Sequence, residues 1–197
     1  MIGGLMCGLA QMKKEPVVDW RVIKACQEGD RDAYRMLFEA YQDRTYTIAY
    51  HFCGNESLAR DLTQQVFLKL FKSIGQFRFD AEFSTWLYRM VANVCMDEHR
   101  RLRRFVPWDP AAGIDRLVER RTGEEHLARK EMASSVRKAI AELKPKLRIV
   151  ILLKYFEDLS YEEMATVLGC SAGTVASRLN RGHKMLARKL SHLHQES

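Results

Sequence analysis

Apolar positions recur along this chain in steps of three and four, the spacing of one face of an α-helix. Tyr34, Leu37, Phe38, Tyr41, Thr45, Ile48, Ala49 and Phe52 follow that spacing. Asp30 is placed to cap this helix, and Gly54-Asn55-Glu56-Ser57 breaks the run. A second stripe comprises Leu58, Leu62, Val66, Leu70 and Phe71; Gly75 ends it, and residues 76–82 read as a loop. A third helix carries Phe83, Trp86, Leu87, Met90, Val91, Val94 and Cys95 on one face and runs into Arg100, Arg101, Arg103 and Arg104.

Periodicity then fades. Pro107, Asp109, Pro110 and Gly113 crowd together, which marks a linker. The expected division is an N-terminal extension over 1–19, a first helical unit over 20–104, a linker over 105–127 and a second unit over 128–197. In the second unit Met132, Val136, Ile140 and Leu143 form one stripe. Pro145 suits the first turn of the next helix, where its missing N–H has no intrahelical partner to lose. That helix, to about Phe156, is apolar nearly all round, broken by Arg148 and Lys154, and is the expected buried centre. Ser160-Tyr161-Glu162-Glu163 is a capping box, and Gly169-Cys170-Ser171 a tight turn whose serine caps the last helix. A short helix, a turn containing Gly and a longer basic helix make a helix-turn-helix pattern. The fold class is all-α: two small helical domains joined by a flexible linker, the C-terminal one a helix-turn-helix.

Composition narrows the function. The 197 residues are 47% apolar and 29% charged, with only 11 Gly and 4 Pro, so neither disorder nor a turn-rich β fold fits. Lys and Arg number 32 against 25 Asp and Glu, a net charge of +7 that suits a polyanionic partner. The five cysteines are odd in number, scattered and lack a Cys-x-x-Cys pair, which argues against zinc or a disulfide framework and for reduced thiols in a cytoplasm. No apolar run reaches the ~18 residues of a membrane span. The six histidines form no metal-ligand motif, and no nucleophile elbow or phosphate-binding loop is present, so no enzyme, metal or cofactor is expected.

The last helix divides its residues. Val175, Leu179, Gly182 and Leu186 share one side. Ser171, Thr174, Ser177, Arg178, Arg181, Lys184 and Arg188 offer hydroxyls and cations elsewhere, as a helix entering a DNA groove requires. In the third helix Arg89, Asn93, Asp97 and Arg100 form a polar stripe that Arg101 extends. The loop before it, with Phe77, Phe79 and Asp80, interleaves aromatics with charges; aromatics stack on unpaired bases and arginines hold the backbone, with a place in the core the equal alternative for Phe77 and Phe79. Asp61, Gln64, Gln65 and Leu68 lie off the core stripe of the second helix; an exposed leucine among amides and charges fits a protein interface, but the residues alone favour an ordinary solvated face.

Three segments in order resemble the extracytoplasmic-function (ECF) sigma factors of bacterial RNA polymerase. Residues 59–71, from Ala59-Arg60-Asp61-Leu62-Thr63-Gln64-Gln65, are similar to the family's polymerase-binding motif. Phe83-Ser84-Thr85-Trp86-Leu87 through Asn93 and Asp97 resembles its −10 promoter-reading segment, and Leu159-Ser160-Tyr161-Glu162-Glu163 through Leu179 its −35 helix-turn-helix. The resemblance implies an alternative sigma factor acting in the cytoplasm. Its first domain would bind the β′ clamp helices of core polymerase through Asp61, Gln64, Gln65 and Leu68, and would melt and read the −10 element. Its second would read −35 and touch the β flap, and an anti-sigma factor would hold the protein inactive. The chain departs from the family at Ala176, where many members carry Lys, and at Phe79, where Gly is common.

Overall fold

In the computed structural model the structure describes residues 18–105 and 124–191. The expected extension and most of the expected linker lie outside the described residues. Eight helices follow in order: α1 (Trp20–Gln27), α2 (Arg31–Cys53), α3 (Glu56–Ser73), α4 (Phe83–Phe105), α5 (Glu124–Ala141), α6 (Pro145–Glu157), α7 (Tyr161–Leu168) and α8 (Ala172–Lys189). No strand occurs among the described residues.

Local chemistry fixes the ends. Asp30 accepts hydrogen bonds from the Asp32 and Ala33 amides at 2.8 and 3.1 Å, and Asn55 accepts from Leu58 N–H at 2.8 Å. Between these helices Gly54 turns the chain at φ 73°, a left-handed conformation that glycine adopts without side-chain conflict. Pro145 occupies the first turn of α6. The sequence pattern missed α1: Asp19 caps it through Arg21 N–H at 2.8 Å, and only Ile23 and Cys26 are buried, too short a stripe to stand out. After α3 a 3-10 turn, Ile74–Gln76, continues past the expected stop before the loop begins.

In the first unit α2, α3 and α4 bury Leu37, Ile48, Leu62, Leu70, Leu87 and Val91. In the second, α6 is the central helix, with Leu147, Ile149–Leu153 and Phe156 all buried against α7 and α8. Met132, expected in the core stripe of α5, is instead exposed, while Val136, Ile140 and Leu143 are buried.

The two units lie against each other: α6 packs on α2, and α7 on α4. Their seam is polar. The fully buried side chain of Glu157, at the end of α6, takes a 2.7 Å ion pair from Arg44 of α2 and a hydrogen bond from the Tyr88 hydroxyl of α4. Burial works against the Arg44 charge, but Glu157 and Tyr88 more than offset it, and its pKa rises. Arg148, which reads as a break in an apolar run, is also buried; it donates to the Phe52 carbonyl across the seam and to the Ala141 and Leu143 carbonyls behind it. Burial brings its pKa down to about 10.

Two expectations follow from the seam. Glu157→Ala removes the carboxylate from two buried partners and should lower unfolding stability by about 3–5 kcal/mol. Lys154→Ala breaks an ion pair to the almost fully exposed Asp158 and should change it by less than about 1 kcal/mol. Paired urea titrations check both. A further expectation concerns His51, whose ring lies 4.6 Å from that of Phe156 and whose Nδ1 has no hydrogen-bond partner. Burial first, then the Arg137 charge, lowers its pKa from 6.5 to about 4. The unfolded chain therefore takes up a proton below 6.5 that the folded chain refuses until about 4. Stability should fall as pH drops through that window, and His51→Gln should flatten part of the slope in urea midpoints measured from pH 7 to 4.

Candidate nucleic-acid and protein interfaces

The helix-turn-helix forms by side-chain capping at both helix starts. Ser160 Oγ accepts from Glu163 N–H at 3.2 Å while the Glu163 carboxylate accepts from Ser160 N–H at 2.7 Å, the reciprocal capping box. Gly169 ends α7 in a left-handed turn at φ 59°. Ser171 then starts α8, accepting from Thr174 N–H at 3.2 Å and sharing a 3.0 Å hydrogen bond with the Thr174 hydroxyl. The face Val175, Leu179, Gly182 and Leu186 is buried. A Cβ at Gly182 would stand 3.1 Å from Ile151, so the absence of a side chain lets α8 sit close on α6. Outward stand Ser177, Arg181, Lys184 and Arg188, all exposed, with Thr174 and Arg178 half-buried. Arg181 donates to Ser177 Oγ at 3.1 Å, and the Arg178 guanidinium rests against Cys170 Sγ at 3.6 Å. The cationic row thus runs along one side of a helix whose other side is anchored.

On the first unit, the loop between the 3-10 turn and α4 separates its two aromatics. The expectation that Phe77 contacts DNA is corrected: it is 5% exposed, with Phe79, Phe83 and Trp86 ring centroids within 5.5 Å. It is core, and it is the floor on which Phe79 stands. Phe79 is 45% exposed, 4.9 Å from Phe77 centroid to centroid, and holds φ 58°. Left-handed backbone of that kind disfavours a bulky side chain by roughly 1–2 kcal/mol, which explains why glycine suits this position and marks Phe79 as held rather than relaxed. Asp80 beside it is exposed. Along α4 the side chains of Arg89, Asn93, Asp97 and Arg100 are exposed on one stripe. Arg100 pairs with Asp97, and Arg101 forms a bidentate pair with the buried Glu98 at 2.8 Å on both arms. Two of the expected −10 arginines are therefore partly engaged within the helix, leaving Arg89 and Asn93 the outward groups at the stripe's start.

A groove opens between α2 and α3, with a volume of about 490 Å³. Its walls are paired rings, Phe38 on Phe67 and Tyr34 on Phe71, each pair 4.7 Å between centroids. Phe71 is 61% and Leu68 52% exposed, and Gln64 stands at the rim. Asp61 and Gln65 are exposed on the same helix, outside the residues that line the groove. The periodic pattern assigned Tyr34, Phe38 and Phe71 to core stripes; they are instead the edge where those stripes run wider than the core they cover. That excess width was the available signal.

Among the described residues no cluster of His, Cys, Asp or Glu is arranged to hold a metal, and no helix is long and apolar enough to cross a membrane.

Residues 37–105 match the family model for Sigma-70 region 2, and residues 133–186 that for Sigma-70, region 4. The chain is 31% identical over 179 residues to the ECF RNA polymerase sigma factor SigW of Bacillus subtilis, covering 87% of this chain and 96% of the relative. It is 32% identical over 187 residues to the RNA polymerase sigma-H factor of Pseudomonas aeruginosa, covering 91% and 97%. Its fold is similar to that of the sigma factor RpoE from Bartonella quintana, co-crystallised with the anti-sigma factor NepR, at a TM-score of 0.65 and 22% identity over 80% of this chain and 96% of that one. It is similar also to CnrH in complex with the cytosolic domain of CnrY, at a TM-score of 0.63 and 24% identity over 87% and 96%.

Proposed function

The chain belongs to the ECF RNA polymerase sigma factors and directs transcription initiation as an alternative sigma factor, and from that membership we propose which surfaces perform each part of the task. The groove between α2 and α3 takes core polymerase. Asp61, Gln64, Gln65 and Leu68 present polar and apolar contacts around it, and Phe38 and Phe71 supply the desolvated centre. An exposed aromatic edge of this kind, rimmed by amides, is the anatomy of a protein-binding surface. It is the observation that carries the assignment.

Phe79 and Asp80 with Arg89, Asn93, Arg100 and Arg101 read and hold the −10 strand. Ser177, Arg181, Lys184 and Arg188 contact the −35 duplex together with Ser171, Thr174 and Arg178. The protein makes and breaks no covalent bond. It supplies binding energy for bases that have left the stack, about 1–3 kcal/mol per stacking contact, and acts in the cytoplasm where the polymerase is. An anti-sigma factor, the partner of the sigma factor seen in the RpoE co-crystal, would act by masking these surfaces.

Asp61→Ala combined with Gln65→Ala should weaken binding to core polymerase at least tenfold while the thermal melt stays unchanged; wild-type affinity would remove these two side chains from the interface. On the duplex side, Arg188→Ala should weaken all sequences alike and lower the slope of log affinity against log salt by about one. Arg178→Ala should relax preference at one base pair, by about 1–3 kcal/mol. Binding titrations at several salt concentrations, with selection of bound sequences, separate the two roles.

A further inference from the structure

Helix α1 was invisible to the sequence pattern, and its last residue touches the loop that carries Phe79. Gln27, half-buried, donates its side-chain amide Nε2 to two main-chain carbonyls: Ile74 O at 2.9 Å and Phe77 O at 2.8 Å. Those carbonyls frame the 3-10 turn Ile74–Gln76, on which α1 packs. The primary amide has two hydrogens, and each finds one carbonyl. Ile74 is buried, and its carbonyl also accepts from the Phe77 amide at 3.0 Å, so the turn is tied at both ends.

We propose that Gln27 is a positioning residue for −10 recognition, clamping the turn whose next residues present Phe79 to an unpaired base. The inference rests on the assignment of the Phe79 loop to the −10 strand made above. Its physical basis is the strained backbone. A left-handed Phe persists only where its surroundings over-determine the conformation. Two restraints do so: the Phe77 ring below Phe79 and the fixed carbonyl of Phe77 behind it. Releasing the carbonyl frees Phe77 to shift and lets Phe79 relax to ordinary backbone, where its ring no longer faces the same way. A base leaving the duplex then meets a mobile ring, and part of the stacking energy is lost to ordering it. Gln27 itself touches no base in this account. It acts through the turn.

The test uses the full chain, free and with core polymerase. Gln27→Met keeps length and helix preference and removes both donors. In the free protein, trypsin should cleave after Arg78, inside the loop, roughly tenfold faster than in wild type, with cleavage elsewhere unchanged. With polymerase, permanganate reactivity should show linear-promoter opening slowed by a similar factor. Base preference at −10 should relax, the −35 preference should stay, and a premelted bubble should restore initiation. A role in packing alone would move the melt without moving base preference. If Gln27→Met lowers the melting temperature, Gln27→Lys, which restores a donor, should recover the −10 preference; failure to recover it overturns the proposal. Wild-type cleavage at Arg78 with wild-type −10 preference also overturns it, provided Phe79→Ala slows opening. If Phe79→Ala opens the promoter at the wild-type rate, the −10 assignment of the loop falls, and the positioning role falls with it; cleavage at Arg78 still reports separately whether Gln27 holds the turn.

Discussion

A carboxylate sealed from water between two helical units is the constraint on which their docking depends. Glu157 closes α6 with its side chain fully buried, and it is tolerated there because Arg44 and Tyr88 reach it from the other unit. Charge without such partners would be destabilised by several kcal/mol. The partners lie on α2 and α4, the helices that also carry one wall of the groove and the exposed stripe of Arg89, Asn93, Asp97 and Arg100. The orientation of the second unit is thus tied to both. Arg148 repeats the arrangement with carbonyls: a cation from α6 satisfies the Phe52 carbonyl at the end of α2.

Each working surface is built by the same division of labour. One side of a helix is fixed in the core by periodic apolar residues, and the side left over carries the chemistry. In α8 the fixed side is so close to α6 that Gly182 has no room for a side chain without displacing Ile151. In α3 the buried row Leu62, Val66 and Leu70 leaves Leu68 and Phe71 outside. The Phe79 loop is not itself helical; it rests on the buried Phe77 ring, which packs on Phe83 and Trp86 of α4, and on hydrogen bonds from α1. Rigidity is supplied there by contact rather than by secondary structure.

How much of this the sequence disclosed depends on the range of the interaction. Caps act over three or four residues, and those at Asp30, Ser160 and Ser171 are legible from residue type and spacing alone. Periodicity also located α2, α3, α4, α6 and α8. Burial of a particular ring depends on neighbours far along the chain, so Phe77 and Phe79 looked equivalent until their surroundings separated them. The same limit hid Arg148 and Glu157, whose partners stand 96 and 113 residues away. A charge in an apolar run reads as an interruption until the other half of the seam is in place. Of the site, the exposed rows of α3, α4 and α8 were legible because they are what periodicity leaves over. The groove walls at Phe38 and Phe71 were not, because a stripe wider than its core looks like core.

As an alternative sigma factor the chain gives a polymerase its choice of promoter, and we propose that it does so through three separate surfaces. Run-off transcription with bacterial core polymerase and a promoter library tests that most directly. The predicted result is initiation from a subset of templates sharing one −35 and −10 pair, dependent on this chain and absent with core polymerase alone. Binding of the chain to core polymerase and to duplex DNA without any start-site-specific transcript from the library would contradict it.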